Sequence, residues 1–345
     1  MKTKVIKIQD ENFNSLDQAV DLLAQGQLVA FPTETVYGLG ADGLNPQAVE
    51  KIFLAKGRPQ DNPLILHVSD FKMLEDLTRG DLTRARILAD RFWPGPMTLV
   101  LKKSDLVPGI ISGGLDTVAI RLPSNKIAQE LIRRLGRPIA APSANISGRP
   151  SPTDASTTLE DLDGKIPLLV DGGPTKVGLE STVIDLSVDQ PLILRPGGIT
   201  LEMLREVFPE ADIDLGLLSP DQAPKSPGQK YKHYAPKAEA YMIRGSLLGK
   251  VNKLTDFIRE NPDKKIGLMA SSQLSDIFSN SNLEVEDLGP WEDLDQVASM
   301  IFKGLRDLDR KNVDIIIVEA FSEDGLGLAI MNRLKKSTAN RYIGE

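Results

Sequence analysis

The chemistry-bearing side chains of the first third of the chain crowd into one stretch, FPTETVYGLGADGLNPQAVEKIFLAKGRPQDNPLILH, from Phe31 to His67. Thr33, Thr35 and Tyr37 bring hydroxyls, Lys56 and Arg58 cations, Asn62 an amide and His67 an imidazole. Few of these belong to an apolar core. In Lys56-Gly-Arg58-Pro, Lys56 alone reads as a solvated cation at a helix end, where it suits the dipole. Arg58 differs, because Pro59, Asn62 and Pro63 restrict the loop that carries it. A fixed loop presenting Arg and Asn suits a phosphate or carboxylate. Ser143-Ala-Asn145-Ile-Ser147-Gly148 and Ser151-Pro-Thr153 form a second polar loop, able to offer hydroxyls and amides to an anion; taken alone it reads as a locally capped turn. Thr117, Arg121 and Arg195 lie at or beside strand ends. Several arginines in the loops of an acidic domain suit a polyanion such as a nucleotide, although surface ion pairs give the same counts. A lone His67 is more often structural than catalytic, and no G-x-S-x-G elbow accompanies it.

These groups need elements to hold them. Asn45 reads as an N-cap, Pro46 as the first helical residue and Gly57 as the stop, with Val49, Ile52 and Phe53 as one apolar stripe. Strands at Leu28–Phe31 and Leu64–Val68 make this a β-loop-α-loop-β unit, and the loops of such units are where ligands bind. Gly38-Leu-Gly40-Ala-Asp-Gly43 matches G-x-G-x-x-G. Residues Thr33–Tyr37 precede it and Asn45-Pro46 opens the helix after it, so a tight glycine turn is expected there rather than a dinucleotide loop.

Residues 1–12 suggest an edge strand. Ser15 and Gln18 suggest a capping box for a helix ended by Gly26. Helices are expected near Phe71–Leu77, Leu82–Phe92, Asn125–Leu135 and from Thr200 to Phe208. Strands are expected at Thr98–Leu101, Thr117–Leu122, Ile139–Pro142, Pro167–Val170, Thr182–Leu186 and Leu192–Leu194. Arg121 interrupts an apolar strand, and such a charge usually points to solvent. Residues 211–237, rich in Pro, Gly and Lys, read as a linker, yet Tyr231, His233 and Tyr234 among lysines suggest that it touches something. From 238 onward a βαβα pattern, with the buried strand VDIIIVE, predicts a small Rossmann-like domain.

Composition narrows the function classes. The chain has 345 residues, 41% hydrophobic and 26% charged, which describes a globular protein of two ordinary domains. A charged N-terminal segment without an apolar core region, and no membrane-length apolar run, place it in the cytoplasm with no membrane partner. The absence of cysteine excludes disulfides, thiolate catalysis and cysteine-bound zinc, and two histidines cannot build a multi-histidine metal site. A net charge of −7 argues against broad nucleic-acid binding, while a local basic cleft stays compatible with it.

Taken together, FPTETVYGLG, KGRPQDNPLILH, WPGPMTLVL, APSANISGRPSPT, STVIDL, RPG, SPGQKYKHYAP and GLGLAIMNRL stand in the order seen in the YrdC/Sua5 family. The resemblance spans nearly the whole chain and is to the two-domain Sua5 type; Gln229 departs from it, where the linker often has Met. It implies an α/β fold: a twisted open YrdC-like sheet with a concave cleft (1–210), a linker contacting the active site (211–237) and a Rossmann-like C-terminal domain (238–345). It implies an adenylyltransferase that converts L-threonine, bicarbonate and ATP to L-threonylcarbamoyladenylate and pyrophosphate. That product feeds the N6-threonylcarbamoyl modification at position 37 of ANN-decoding tRNAs, through a downstream tRNA threonylcarbamoyl-transfer machinery. Magnesium is implied with ATP, and no organic cofactor. The family's Lys-x-Arg and Ser-x-Asn pairs fall on Lys56, Arg58, Ser143 and Asn145. Its threonine site falls on Thr35, His67, Arg121, the backbone at Ala141, and Ser181. Its ATP site falls on Arg58, Asn62, Thr117, Ser143, Ser151, Arg195 and the linker's Tyr231, with the linker expected as a lid. The competing reading is an RNA-binding module with a basic cleft and no ATP turnover.

Overall fold

From Lys4 to Ile213 the chain lays down the strands of one mixed sheet: β1 (Lys4–Lys7), β2 (Val29–Phe31), β3 (Gly38–Asp42), β4 (Ile65–His67), β5 (Met97–Lys102), β6 (Thr117–Arg121), β7 (Ile139–Ala140), β8 (Leu168–Asp171), β9 (Thr182–Asp185), β10 (Leu192–Arg195) and β11 (Asp212–Ile213). Their order is β1-β8-β2-β3-β7-β4-β6-β5-β9-β10-β11. The helices between them are α1 (Asp17–Ala24), α2 (Pro46–Lys56), α3 (Phe71–Leu77), α4 (Thr83–Phe92), α5 (Gly109–Ser112), α6 (Lys126–Leu135), α7 (Ala155–Leu162) and α8 (Leu201–Arg205). This computed structural model describes residues 2–8, 13–214 and 233–344. The chain divides into two units, one of Met1–Ser147, Ser151–Lys176 and Glu180–Tyr231, the other of Gly148–Pro150, Val177–Leu179 and Lys232–Glu345.

Side chains alternate across a strand, and that alternation sorts the sheet's two faces. One face carries Leu66, Leu99, Leu101, Val118, Ile120 and Ile184, packed with Val49, Ile52 and Phe53 of α2 and with Leu74 and Leu88 of α3 and α4. On the other face, α1 and α6 cover the wing around β8, β2 and β7, burying Leu23, Leu131 and Ile132 on Phe31, Ile139 and Val170. Further along that second face sits a separate cluster of only five strand residues: Ile65, Val100, Ala119, Val183 and Leu194. Polar residues take the remaining inward positions beside it.

Several elements form for the reasons the sequence supplies. Asn45 Oδ1 accepts from the amides of Gln47 and Ala48, Pro46 opens α2, and Gly57 closes it at φ +60°. Asn125 and Gly136 bound α6 in the same way. Other expectations need correction. Gly38–Asp42 is no glycine turn but a fully buried strand, antiparallel to β2. A Cβ on Gly40 would lie 2.6 Å from the Phe31 ring and 2.9 Å from Ile139, so glycine here lets the ring fill the space. The first helix starts from a 3₁₀ turn at Asn14–Leu16 with Leu16 in the N-cap position, not from a Ser15–Gln18 box. The helix after Thr200 closes at Arg205 rather than Phe208. Helix α7, capped by Asp154, occupies a region expected to hold only strands and turns. Asp212 and Ile213, expected in the linker, instead add β11 to the sheet beside β10.

The second unit is built on β12 (Glu239–Ile243), β13 (Ile266–Ala270), β14 (Glu284–Asp287) and β15 (Ile315–Glu319), with α9 (Leu247–Glu260), α10 (Ser272–Phe278), α11 (Leu294–Arg310) and α12 (Leu326–Ser337). All of its strand pairings are parallel, in the order β12-β15-β13-β14. Strand β15 is paired on both sides and buried throughout, as its near-continuous apolar run requires. Strand β14 and helix α10 have no counterpart in the sequence reading.

Candidate active site

Strands β4, β6, β5 and β9 lie side by side, and their register decides which polar residues meet. His67 pairs with Arg121 across β4 and β6, and Arg121 with Thr98 across β6 and β5. All three therefore lie on the face of the five-residue apolar cluster, flanking its Ile65, Ala119 and Val100. Thr117 shares that face two residues beyond Ala119, at the amino end of β6 and about 13 Å along the strand from Arg121.

Arg121 is the centre of the arrangement and is only 4% exposed, so the solvent-facing expectation for a charge in this strand fails. Its guanidinium is held from three sides. Nη1 donates to Thr35 Oγ1 at 2.8 Å, and Nε approaches the carbonyl of Gly95 at 3.4 Å. Nη2 forms an ion pair with Glu34 Oε1 at 2.7 Å. Burial pushes the Glu34 carboxyl up, but the Arg121 charge beside it outweighs that, leaving Glu34 below the ordinary carboxylate range. Beside the pair, His67 is 3% exposed, and burial together with the Arg121 charge drives its pKa down to about 3. It stands in the site as a neutral imidazole whose Nδ1 makes no hydrogen bond within the protein.

A second network continues from Thr98. Its Oγ1 shares a hydrogen bond of 2.7 Å with Ser181 Oγ. Arg195, 6% exposed at the end of β10, donates to the Ser181 carbonyl at 3.0 Å and to Ser181 Oγ at 3.1 Å. Ser151 Oγ donates to Glu180 Oε1 at 2.6 Å, tying the polar loop to the residue before Ser181.

The loop after β7 is fastened by Lys56. This lysine ends α2 almost fully buried, and Nζ donates to the carbonyl of Ser143, to the carbonyl of Asn145 at 2.5 Å and to Asn145 Oδ1 at 3.3 Å. Those are three acceptors for the three N–H groups of an ammonium. Ser143 Oγ completes the turn on Asn145 Oδ1 at 2.6 Å. From the other side Asp161 of α7 accepts from the Ile146 amide at 3.1 Å. The expectation of a solvated Lys56 is thus replaced by a cation that holds a loop. Arg58 Nη2 donates to Pro63 O at 3.1 Å, folding its loop back on itself, and Asn62 is buried with Oδ1 unmatched by any protein donor. Ala141 gives its N–H to the Ile65 carbonyl at 3.0 Å.

The structure thus gathers Thr35, His67, Arg121, Ser181 and Arg195 along one sheet face, and Lys56, Ser143 and Asn145 into one loop anchor. Arg58, Asn62 and Thr117 lie toward the amino ends of β4 and β6. Tyr231 lies outside the described residues, so its expected contact with the site lies there too. Sequence reasoning missed Glu34 and Thr98. The signal for Glu34 was its position between Thr33 and Thr35; that for Thr98 was its strand phase opposite Arg121. Among the described residues no group of three or more His, Cys, Asp and Glu could hold a metal ion. No helix of the described residues is long and apolar enough to cross a membrane.

Comparison with known proteins gives this geometry its family. The Sua5–YciO–YrdC family, described as telomere recombination, matches residues 21–197, and the threonylcarbamoyl-AMP synthase C-terminal domain matches residues 199–339. The threonylcarbamoyl-AMP synthase of Pyrococcus abyssi is 49% identical over 330 residues, 94% of each chain. That of Bacillus subtilis is 45% identical over 351 residues, 99% of this chain and all of the relative. The crystal structure of P. abyssi Sua5 complexed with L-threonine superposes with a TM-score of 0.92 at 46% identity, over 99% of both chains. The chain belongs to the YrdC/Sua5 family, as a two-domain member of the threonylcarbamoyl-AMP synthases.

Proposed function

We propose that this chain joins L-threonine, bicarbonate and MgATP into L-threonylcarbamoyladenylate on the polar face of its large sheet. The threonine amine attacks the bicarbonate carbon and water leaves, giving a carbamate. A carbamate oxygen then attacks the α-phosphorus, and pyrophosphate departs. No enzyme nucleophile is needed, so the protein works by positioning and by charge neutralisation. Arg121 takes the threonine carboxylate as a planar fork, with Thr35, His67, the Ala141 backbone and Ser181 around the rest of the amino acid. Arg58, Asn62, Thr117, Ser143, Ser151 and Arg195, with Tyr231 of the linker, take the nucleotide. Lys56 acts on that side through the Ser143–Asn145 loop. Magnesium enters on the phosphates as part of the substrate and offsets their charge. The adenylate passes to the transferase that modifies tRNA, in the cytoplasm.

The observation that supports this reading most is Arg121, ion-paired to Glu34 and hydrogen-bonded to Thr35, alongside the hydrogen-bonded row Thr98–Ser181–Arg195. It sets a carboxylate-binding fork near an arginine suited to phosphate, on one sheet face. Membership of a synthase family sets aside the reading as an RNA-binding module without turnover. Incubation with ATP, threonine and labelled bicarbonate is expected to release pyrophosphate in a threonine-dependent way and to yield a labelled adenylate. Pyrophosphate release indifferent to threonine would overturn the reading. Arg58→Ala is expected to lower turnover by about two orders of magnitude if Arg58 meets transition-state charge.

A further inference from the structure

Glu34 has no part in the roles above, yet it lies against their central residue. Its side chain and that of Arg121 are 8% and 5% exposed, and they meet at 2.7 Å. A buried carboxylate beside the fork meant for a substrate carboxylate needs a reason, because it competes for the same charge.

Hydrogen-bond accounting supplies one. A guanidinium has five N–H groups. Arg121 gives one from Nη1 to Thr35 and aims that of Nε at Gly95; Nη2 faces Glu34 as an ion pair but makes no hydrogen bond within the protein, so both terminal nitrogens keep an N–H for a carboxylate to accept side by side. The neighbouring hydroxyls are also fixed in direction. Thr33 gives its only hydroxyl proton to the Val36 carbonyl at 2.7 Å, so the proton in the 2.8 Å Thr33–Thr35 bond comes from Thr35. Thr35 Oγ1 also accepts from Arg121, which leaves it one lone pair and no proton to give. Both groups flanking the fork, the Glu34 carboxylate and the Thr35 oxygen, are therefore acceptors. An arginine alone would take any carboxylate or phosphate. Paired with Glu34 it carries no net charge, repels a second anionic group and favours a cation or N–H donor next to the bound carboxylate. An α-amino acid has that arrangement on its α-carbon.

We propose that Glu34 is a specificity-determining residue that makes the Arg121 slot select an α-amino acid over a simple carboxylate, resting on the reading that this slot holds threonine. The test compares L-threonine with (R)-3-hydroxybutyrate, which keeps the carboxylate and the hydroxyl and lacks the amine. Both are titrated calorimetrically into the full chain and into Glu34→Gln. The wild type is expected to prefer threonine by at least about a hundredfold, since a polar site rejects a ligand that leaves its groups unmatched. In Glu34→Gln the ratio is expected to fall within about tenfold, through weaker threonine binding rather than through hydroxybutyrate. A wild-type ratio near one would overturn the proposal without recourse to any variant, so a poorly folding Gln variant leaves the test standing. Equal weakening of both ligands in Glu34→Gln would also overturn it, by reducing Glu34 to a scaffold for Arg121. Absence of threonine binding in the wild type would overturn the threonine reading itself, and the role of Glu34 with it.

Discussion

Lys56 and Arg121 exchange the roles that their sequence contexts suggest. Lys56 sits at a helix end, where a cation commonly meets solvent, yet it is 2% exposed and binds the carbonyls of Ser143 and Asn145. Arg121 sits inside a strand, where a charge commonly turns outward, yet its inward phase puts it opposite Thr98 and His67. Residue types drew attention to both side chains, but the direction of a side chain depends on the strand's phase against its neighbours, and a strand interrupted by one charge does not declare that phase. Replacing Lys56 by methionine keeps the packing and leaves buried acceptors unmatched. A stability loss of about 1–3 kcal/mol by urea unfolding is expected. The affinity for ATP is expected to fall by roughly tenfold, because the loop carrying Ser143 loosens, while threonine binding changes by less than about threefold. A larger effect on threonine than on ATP would show that Lys56 serves the other half of the site.

Strand β3 carries most of what could not be read at the level of elements. GLGAD has two glycines and an aspartate, all poor strand formers, and local propensity favours a turn. Tertiary packing overrides it: the Phe31 ring of β2 lies over Gly40, and the bare backbone is what makes room. Gly40→Ala should therefore cost about 1–3 kcal/mol in unfolding free energy, the penalty of overpacking, although alanine is the better strand residue on propensity alone. An unchanged midpoint would mean that Phe31 moves aside freely. Helix α2 was legible because its signals are local: an Asx cap, a proline at N1 and a glycine at C′. Helix α7 had a comparable cap in Asp154, but its short, threonine-rich sequence gives a weak apolar stripe. Strand β14, EVED, lies at a sheet edge and is only half-buried, so it carries no apolar alternation to read.

At the scale of the molecule, the buried polar face sets how the fold responds to acid. His67 takes a proton near 6.5 when unfolded but holds it off until about 3 when folded, through burial and the Arg121 charge. A depressed value means that the stabilising difference is complete above 6.5 and is lost as the pH falls toward 3. Glu34 acts in the same direction at lower pH, since its folded carboxyl also titrates below its ordinary value. Between pH 7 and pH 5 the full chain is expected to lose about 2 kcal/mol that His67→Gln does not lose, read from urea unfolding at the two pH values. Equal losses would place the acid sensitivity elsewhere. The second unit's sheet has a consequence in time. Strand β15 lies between β12 and β13, which have no pairing with each other. A ribosome that has delivered both of those strands has yet to make Ile315, and until it does each presents an unmatched edge. The sheet cannot grow outward from a first hairpin as synthesis proceeds; it closes in one late event around the strand that arrives last. Through that interval, the length of more than forty residues between β13 and β15, the nascent chain depends on chaperones or on speed to keep those edges from finding other partners.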